Sequence, residues 1–288
     1  MSDLARQNGL RERPSPSIWP ARPRRARRPR SGNLWAVGGL GTEGFIDAVR
    51  VHGEGLLATA TSAGLDSRVP SCDDWVVRDL VRHIGGVHHW AARQLGEKRT
   101  DEIVGDLFEI VGGWPADDDL LSWAAAQHAA LVAELEGADP TFPYFTWFRG
   151  DTPLTMWARR QAHETAVHRV DAELATGRRP TFKPTFAADG IDELLLDMIG
   201  DWQRQLPVDA ARTLHVVAQD VERAWTITIS PEGFAIHGDQ RGDAHTMLRG
   251  TASSLYQALW GRGAADLEIA GDASVFDSWL TAVKPAWS

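Results

Sequence analysis

The sequence predicts an antiparallel four-helix bundle over residues 43–180, followed by a smaller α+β domain over 185–288. Three observations carry this prediction. Four long stretches between 43 and 177 place apolar residues at helical spacing. Beyond Pro180 the texture changes to short alternating runs rich in Thr, Val and Ile. No internal repeat links the two parts.

The elements follow in order. The first helix is expected over 43–63. The second opens at Ser71-Cys72-Asp73-Asp74, where small polar residues before Trp75 can cap a helix that runs to Leu95. The third begins at Asp117-Asp118-Asp119, three carboxylates suited to a positive helix N-terminus, and ends near Glu136. The fourth has Thr152 as its cap, Pro153 at the first helical position and Gly177 as its stop. Four helices joined in series favour a bundle, and a bundle core is a common place for a metal. Past a boundary at 178–186, a helix is expected at 187–205 and strands at Thr213–Gln219, Trp225–Ser230, Phe234–His237 and His245–Arg249. The helix Ser253–Trp260, the strand Asp266–Ala270 and the helix Ala273–Val283 complete the pattern.

Residues 1–42 stand apart. They hold nine Arg against Asp3 and Glu12, so this segment carries +7 and the rest of the 288-residue chain −16. Five Pro lie between Arg6 and Arg30, with few apolar residues to bury, which marks a disordered extension. Binding to an anionic partner is the competing reading of this arm. The pairs Arg24-Arg25 and Arg27-Arg28 invite a twin-arginine signal, but the apolar run Leu34–Leu40 is short and broken by Gly38-Gly39. The acidic body argues against a nucleic-acid enzyme. No apolar run approaches the ~18 residues a membrane span requires. A single cysteine, Cys72, excludes an internal disulfide framework and fits a reducing, cytoplasmic setting.

Helix periodicity sorts the candidate site residues, at about 100° per residue. In the second helix Val76, Leu80, Ile84, Val87 and Ala91 form an apolar stripe; His83 lies at its edge and His89 on the opposite face. In the fourth, Trp157, Glu164, His168, Asp171 and Ala175 share a strip flanked by Leu154, Met156, Val167 and Leu174, whereas Arg159, Arg169 and Glu173 point away. A carboxylate and an imidazole inside an apolar face need partners. A divalent cation completed by His83 satisfies both; so does a plain buried Glu164–His168 hydrogen bond, with His83 a core histidine. His163-Glu164 resembles the start of a zincin helix. His168, however, is five residues beyond His163 rather than four, which turns the two imidazoles about 140° apart and excludes that motif. Cys72 near a helix start could be nucleophilic, against the plainer reading of a small residue in a cap.

Here the sequence resembles a known family. The stretch Arg159-Arg160-Gln161-Ala162-His163-Glu164-Thr165-Ala166-Val167-His168-Arg169-Val170-Asp171-Ala172-Glu173 is similar to the mycothiol-dependent maleylpyruvate isomerases, metal-binding four-helix bundles of the DinB-like superfamily. The run from Ser71 through Asp74-Trp75-Val76-Val77-Arg78-Asp79-Leu80-Val81-Arg82-His83 to Gly86 looks like that family's other signature. More weakly, Gly250–Arg262 and Leu267–Asp272 resemble its sterol-carrier-like second domain. The resemblance implies that His83, Glu164 and His168 ligate a divalent metal, the residues that periodicity also turns inward. The mixed nitrogen and oxygen donors favour zinc. It implies mycothiol, the actinobacterial counterpart of glutathione, as a thiol cosubstrate, and a thiolate that adds to maleylpyruvate, allows rotation and leaves from fumarylpyruvate. The partners are then a small-molecule substrate and a low-molecular-weight thiol, with no nucleic acid and no membrane. The Arg-rich extension has no counterpart in the family pattern. Asp171, one turn beyond His168, is a candidate to orient an imidazole or hold the ligand-bearing helix, against the plainer reading of a local helix–helix hydrogen bond. Arg262, with Arg241 and Arg249 behind it, is the candidate to grip a carboxylate substrate. Trp75, Trp90, Trp147 and Trp157 are candidate pocket walls, against the plainer reading that bulky aromatics near a bundle core just pack. Two further functions compete with the enzyme: a non-catalytic metal-binding or stress-response module, and a carrier of apolar ligands through residues 185–288.

Overall fold

A computed structural model describes residues 40–148, 152–199, 208–238 and 244–283. Most of the 1–42 extension, and Arg241, lie outside these residues. The long helices are α1 (Thr42–Ala63), α2 (Val77–Gly96), α4 (Asp117–Gly137) and α5 (Pro153–Ala175), with a short α3 (Leu107–Val111) between α2 and α4. Helix α5 is capped as its sequence requires: the Thr152 hydroxyl accepts the Thr155 N–H at 3.0 Å, and Pro153 occupies the first turn. It ends where Gly177 takes φ 71°, so that the N–H groups of Gly177 and Arg178 close back on Leu174 and Glu173.

Helix α2 starts later than the polar cluster suggests. Ser71–Asp74 form a turn in the α1–α2 connection, pinned by a bridge between Arg68 and Val76. The helix opens at Val77, and the Asp79 carboxylate accepts the Val76 N–H at 3.0 Å. A carboxylate in the first turn serves the orphan N–H groups there, and Ser71 is left free for other work.

The four long helices form a bundle in which α1 lies along α5 and α2 along α4, with α1 facing α4 and α2 facing α5. Cross-contacts fix their directions. Thr42 meets Thr155 and His52 meets Arg169, so α1 and α5 run the same way. Arg78 meets Asp117 and His89 meets Gln127, so α2 and α4 do too. Between the two pairs the sense is antiparallel, since Trp90 packs on Trp157 while His83 packs on His168. The antiparallel relation expected from the sequence therefore holds between pairs and not within them. The connection over 97–116, long enough to return along the bundle, is the reason.

Helix α6 (Pro184–Asp192) continues into the looser π-helical segment Glu193–Ile199, and the sequence after Gly250 adds α7 (Ala252–Leu259) and α8 (Ser274–Val283). The strands are β1 (Arg212–Ala218), β2 (Arg223–Ser230), β3 (Gly233–Gly238), β4 (Thr246–Gly250) and β5 (Glu268–Gly271), in the order β3-β2-β1-β4-β5. Only the β1–β4 pair is parallel. Trp225, Ile227 and Ile229 alternate inward along β2, as a half-buried strand requires.

One hydrophobic core runs through both regions, from Phe45, Trp90 and Trp157 by way of Phe182, Phe186 and Tyr256 to Trp225 and Trp279. A smaller cluster around Leu56, Leu80, Ile84 and Leu120 fills another part of the bundle. Among the described residues no helix is long and apolar enough to cross a membrane.

Candidate metal centre

Residues spaced by four on α5 stack on one face, and Arg160, Glu164 and His168 follow that spacing. Their side chains meet His83, which projects from α2. The Glu164 Oε1 atom lies 3.3 Å from His83 Nε2 and 3.2 Å from His168 Nε2. One donor atom from each residue lies within 4.8 Å of the others, and among the described residues this is the one group of His, Cys, Asp or Glu so arranged.

These separations suit a ligand set as well as a hydrogen-bonded group. Two other histidine–carboxylate bonds, His168 Nδ1 to Asp171 and His163 Nε2 to Asp189, are shorter at 2.8 Å. A tetrahedral cation ~2.0–2.1 Å from each donor spaces its ligands by ~3.3 Å. The two Glu164 contacts match that edge length and all three donor atoms lie within 4.8 Å of one another, so the donor set fits a divalent cation in its chemistry and in those two edges.

The far sides of His168 and Glu164 are held. Asp171 Oδ2 accepts from His168 Nδ1, which leaves Nε2 pointing to the centre. Asp171 is fully buried and is gripped by Arg262, whose Nε donates to Oδ1 at 2.9 Å and Nη2 to Oδ2 at 2.8 Å; the Ser71 hydroxyl donates to Oδ1 as well. Arg262 therefore reaches the site from the sheet region, but its guanidinium is spent on Asp171. Glu164 Oε2 accepts from Arg160 Nη2 at 2.5 Å, and Arg160 Nη1 donates to Glu193.

Electrostatics follow from this wiring. Burial lowers the His83 pKa, leaving a neutral imidazole with a lone pair to give. Burial would also lower His168, but its bonds to Asp171 and Glu164 outweigh it and raise the pKa to about 9. Burial works to raise Glu164, yet Arg160 and the two imidazoles hold it well below the usual carboxylate range. A cation entering the centre competes with the His168 proton.

The remaining candidates separate cleanly. Trp75 lies 5.2 Å from the His83 ring and stacks at 6.2 Å on His168, whereas Trp90, Trp147 and Trp157 pack on one another in the core. Arg249 sits on β4 beside Glu268. Cys72 is no thiolate, because burial and the Asp171 carboxylate push its pKa up to about 12. His163 faces away from the centre, toward α6 and Tyr256. Sequence reasoning missed Arg160, Glu193 and Ser71. The spacing Arg160–Glu164–His168 was visible as a signal for the first; nothing local marks the other two.

Residues 46–173 match the family model of the mycothiol maleylpyruvate isomerase N-terminal domain, and residues 185–278 that of the corresponding C-terminal domain. No curated protein is significantly similar to the chain. The crystal structure of a mycothiol-dependent maleylpyruvate isomerase superposes with a TM-score of 0.57 at 14% identity, covering 80% of this chain and 93% of that one. A mutant of such an isomerase gives 0.56 with the same identity and coverage. At this identity the likeness speaks for the fold.

Proposed function

The chain belongs to the mycothiol maleylpyruvate isomerase family, and from that premise we propose that it is a zinc-dependent enzyme using mycothiol to isomerise a small unsaturated acid such as maleylpyruvate. One observation carries the metal: donor atoms of His83, Glu164 and His168 converge from two helices to within 4.8 Å of one another, and the two separations to Glu164 Oε1 match the edge of a tetrahedral ion. Two imidazoles and one carboxylate are three protein ligands, the number typical of catalytic zinc, with a position left for a thiol. Bound there, zinc supplies Lewis acidity that holds a thiol as its thiolate near neutral pH.

The chain's own residues do the rest. Asp171 fixes the His168 tautomer, and Arg262 and Ser71 hold Asp171 in place. Trp75, half-buried beside both imidazoles, walls the thiol side with an aromatic face that suits sulfur. The reaction class is addition of the thiol to a cis double bond, rotation, and elimination from the trans product. Carboxylate recognition falls to groups other than Arg262, whose donors are engaged. The bundle over 43–180 and the sheet region over 185–288 act as one unit in this proposal, because Asp171–Arg262 and Arg160–Glu193 join them.

The test is elemental analysis of the wild type beside His168→Ala after dialysis against a weak chelator, followed by turnover of maleylpyruvate with mycothiol. About one equivalent of zinc in the wild type, lost in the variant, with thiol-dependent isomerisation, supports the proposal. A metal-free, folded wild type refutes it.

A further inference from the structure

The two oxygens of Glu164 have separate fates, and the difference bears on how many positions the centre keeps open. Oε1 faces both imidazoles, whereas Oε2 accepts a charge-assisted hydrogen bond from Arg160 Nη2 at 2.5 Å. A carboxylate can offer one oxygen to a metal or both. Taking the second beside a bound water would make a fifth ligand and crowd the place that an incoming thiol needs.

Arg160 cannot move aside. It is fully buried, its Nη1 is tied to Glu193, itself 1% exposed, and its guanidinium lies 6.0 Å from the Trp260 ring centre. Glu193 opens the π-helical segment Glu193–Ile199, so the anchor comes from outside the bundle. The planar fork suits this task, since one guanidinium serves two carboxylates through different nitrogens, which an ammonium does less well. Charge points the same way. Arg160, Glu164 and Glu193 sum to −1, so a divalent cation leaves +1, which one thiolate neutralises.

We infer that Arg160, anchored by Glu193, is a positioning residue that confines Glu164 to one-oxygen ligation and so keeps a coordination position open for the thiol. This inference rests on the metal-centre reading above. It assigns a role to residues outside the donor set of His83, Glu164 and His168.

Cobalt(II) loaded into the full chain reads it directly, because its visible bands are strong when four-coordinate and weaken when a fifth ligand enters. The variant to compare is Arg160→Met with Glu193→Leu, which removes both charges and leaves neither buried alone. Both proteins should take up about one equivalent of cobalt, the variant with weakened bands. Its affinity for N-acetylcysteine, read from sulfur-to-cobalt charge-transfer absorption, should fall about tenfold or more. Arg160→Lys, which keeps the charge but loses the fork, should shift both readings the same way by less. Unchanged bands and thiol affinity in either folded variant would overturn the role of Arg160 and leave the metal centre standing. A wild type that takes up no cobalt removes the centre, and this inference with it.

Discussion

Two faces of α5 carry buried imidazoles, and they are built to opposite ends. Toward α6, His163 bonds Asp189 at 2.8 Å and meets the Tyr256 hydroxyl at 3.3 Å. Arg159 beside it takes Asp189 at 2.8 Å and Asp197 at 2.6 Å. Toward α2, His83 and His168 instead share a single oxygen of Glu164 at 3.2–3.3 Å, longer than the bond of His163 to Asp189. The first face satisfies its polar groups within the protein. The second brings three donor atoms within 4.8 Å of one another, while the far sides of Glu164 and His168 are committed to Arg160 and Asp171. Burial of a histidine alone distinguishes nothing; where its second nitrogen goes does.

The sharpest way to break this comparison is to delete one imidazole from each face. His168→Ala should reduce bound metal from about one equivalent to below detection, whereas His163→Ala should leave metal content intact and cost roughly 2–4 kcal/mol of stability through the lost packing and hydrogen bonds. Elemental analysis and urea denaturation check both. Equal metal content in the two variants would erase the distinction.

Next in size is the outer support. Asp171→Asn keeps the shape but weakens the bond to His168, and should lower metal affinity by roughly 10–100-fold in a competitive chelator titration. A smaller change would make Asp171 merely a clasp for Arg262.

The pH dependence of the metal-free chain sharpens the contrast further. Burial holds His52 and His88 neutral, with pKa values of about 3. Since these lie below the unfolded value of roughly 6.5, their contribution is present above that pH and lost as it falls toward 3. His168 runs the other way. With its pKa raised to about 9, its contribution is full below roughly 6.5 and disappears as pH rises through 9. Thermal melts should therefore show loss at both ends, and added metal should abolish the alkaline loss, because the bound imidazole carries no proton there.

The smallest effect comes from the helix end. Thr152→Ala removes the α5 cap and should cost about 1 kcal/mol in denaturant melts with metal content unchanged. Loss of metal from this variant would show that the centre depends on the rigidity of the whole helix.

By itself the sequence determined the local order. Thr152, Pro153 and Gly177 bound α5, alternation set β1 and β2, and helical spacing turned Glu164 and His168 to one face and His163 to another, because each of these is decided within a few residues of chain. It misplaced the start of α2, since Ser71 and Asp79 both have capping chemistry and only packing settles which is used. Helix direction within the bundle was equally beyond it, because a connection's length does not say where it travels. Tertiary structure alone decided that Arg262 grips Asp171 across 91 residues and that Arg160 reaches Glu193 across 33. A buried guanidinium must find a carboxylate, but which one depends on where the fold brings distant chain together, and no local pattern encodes that meeting.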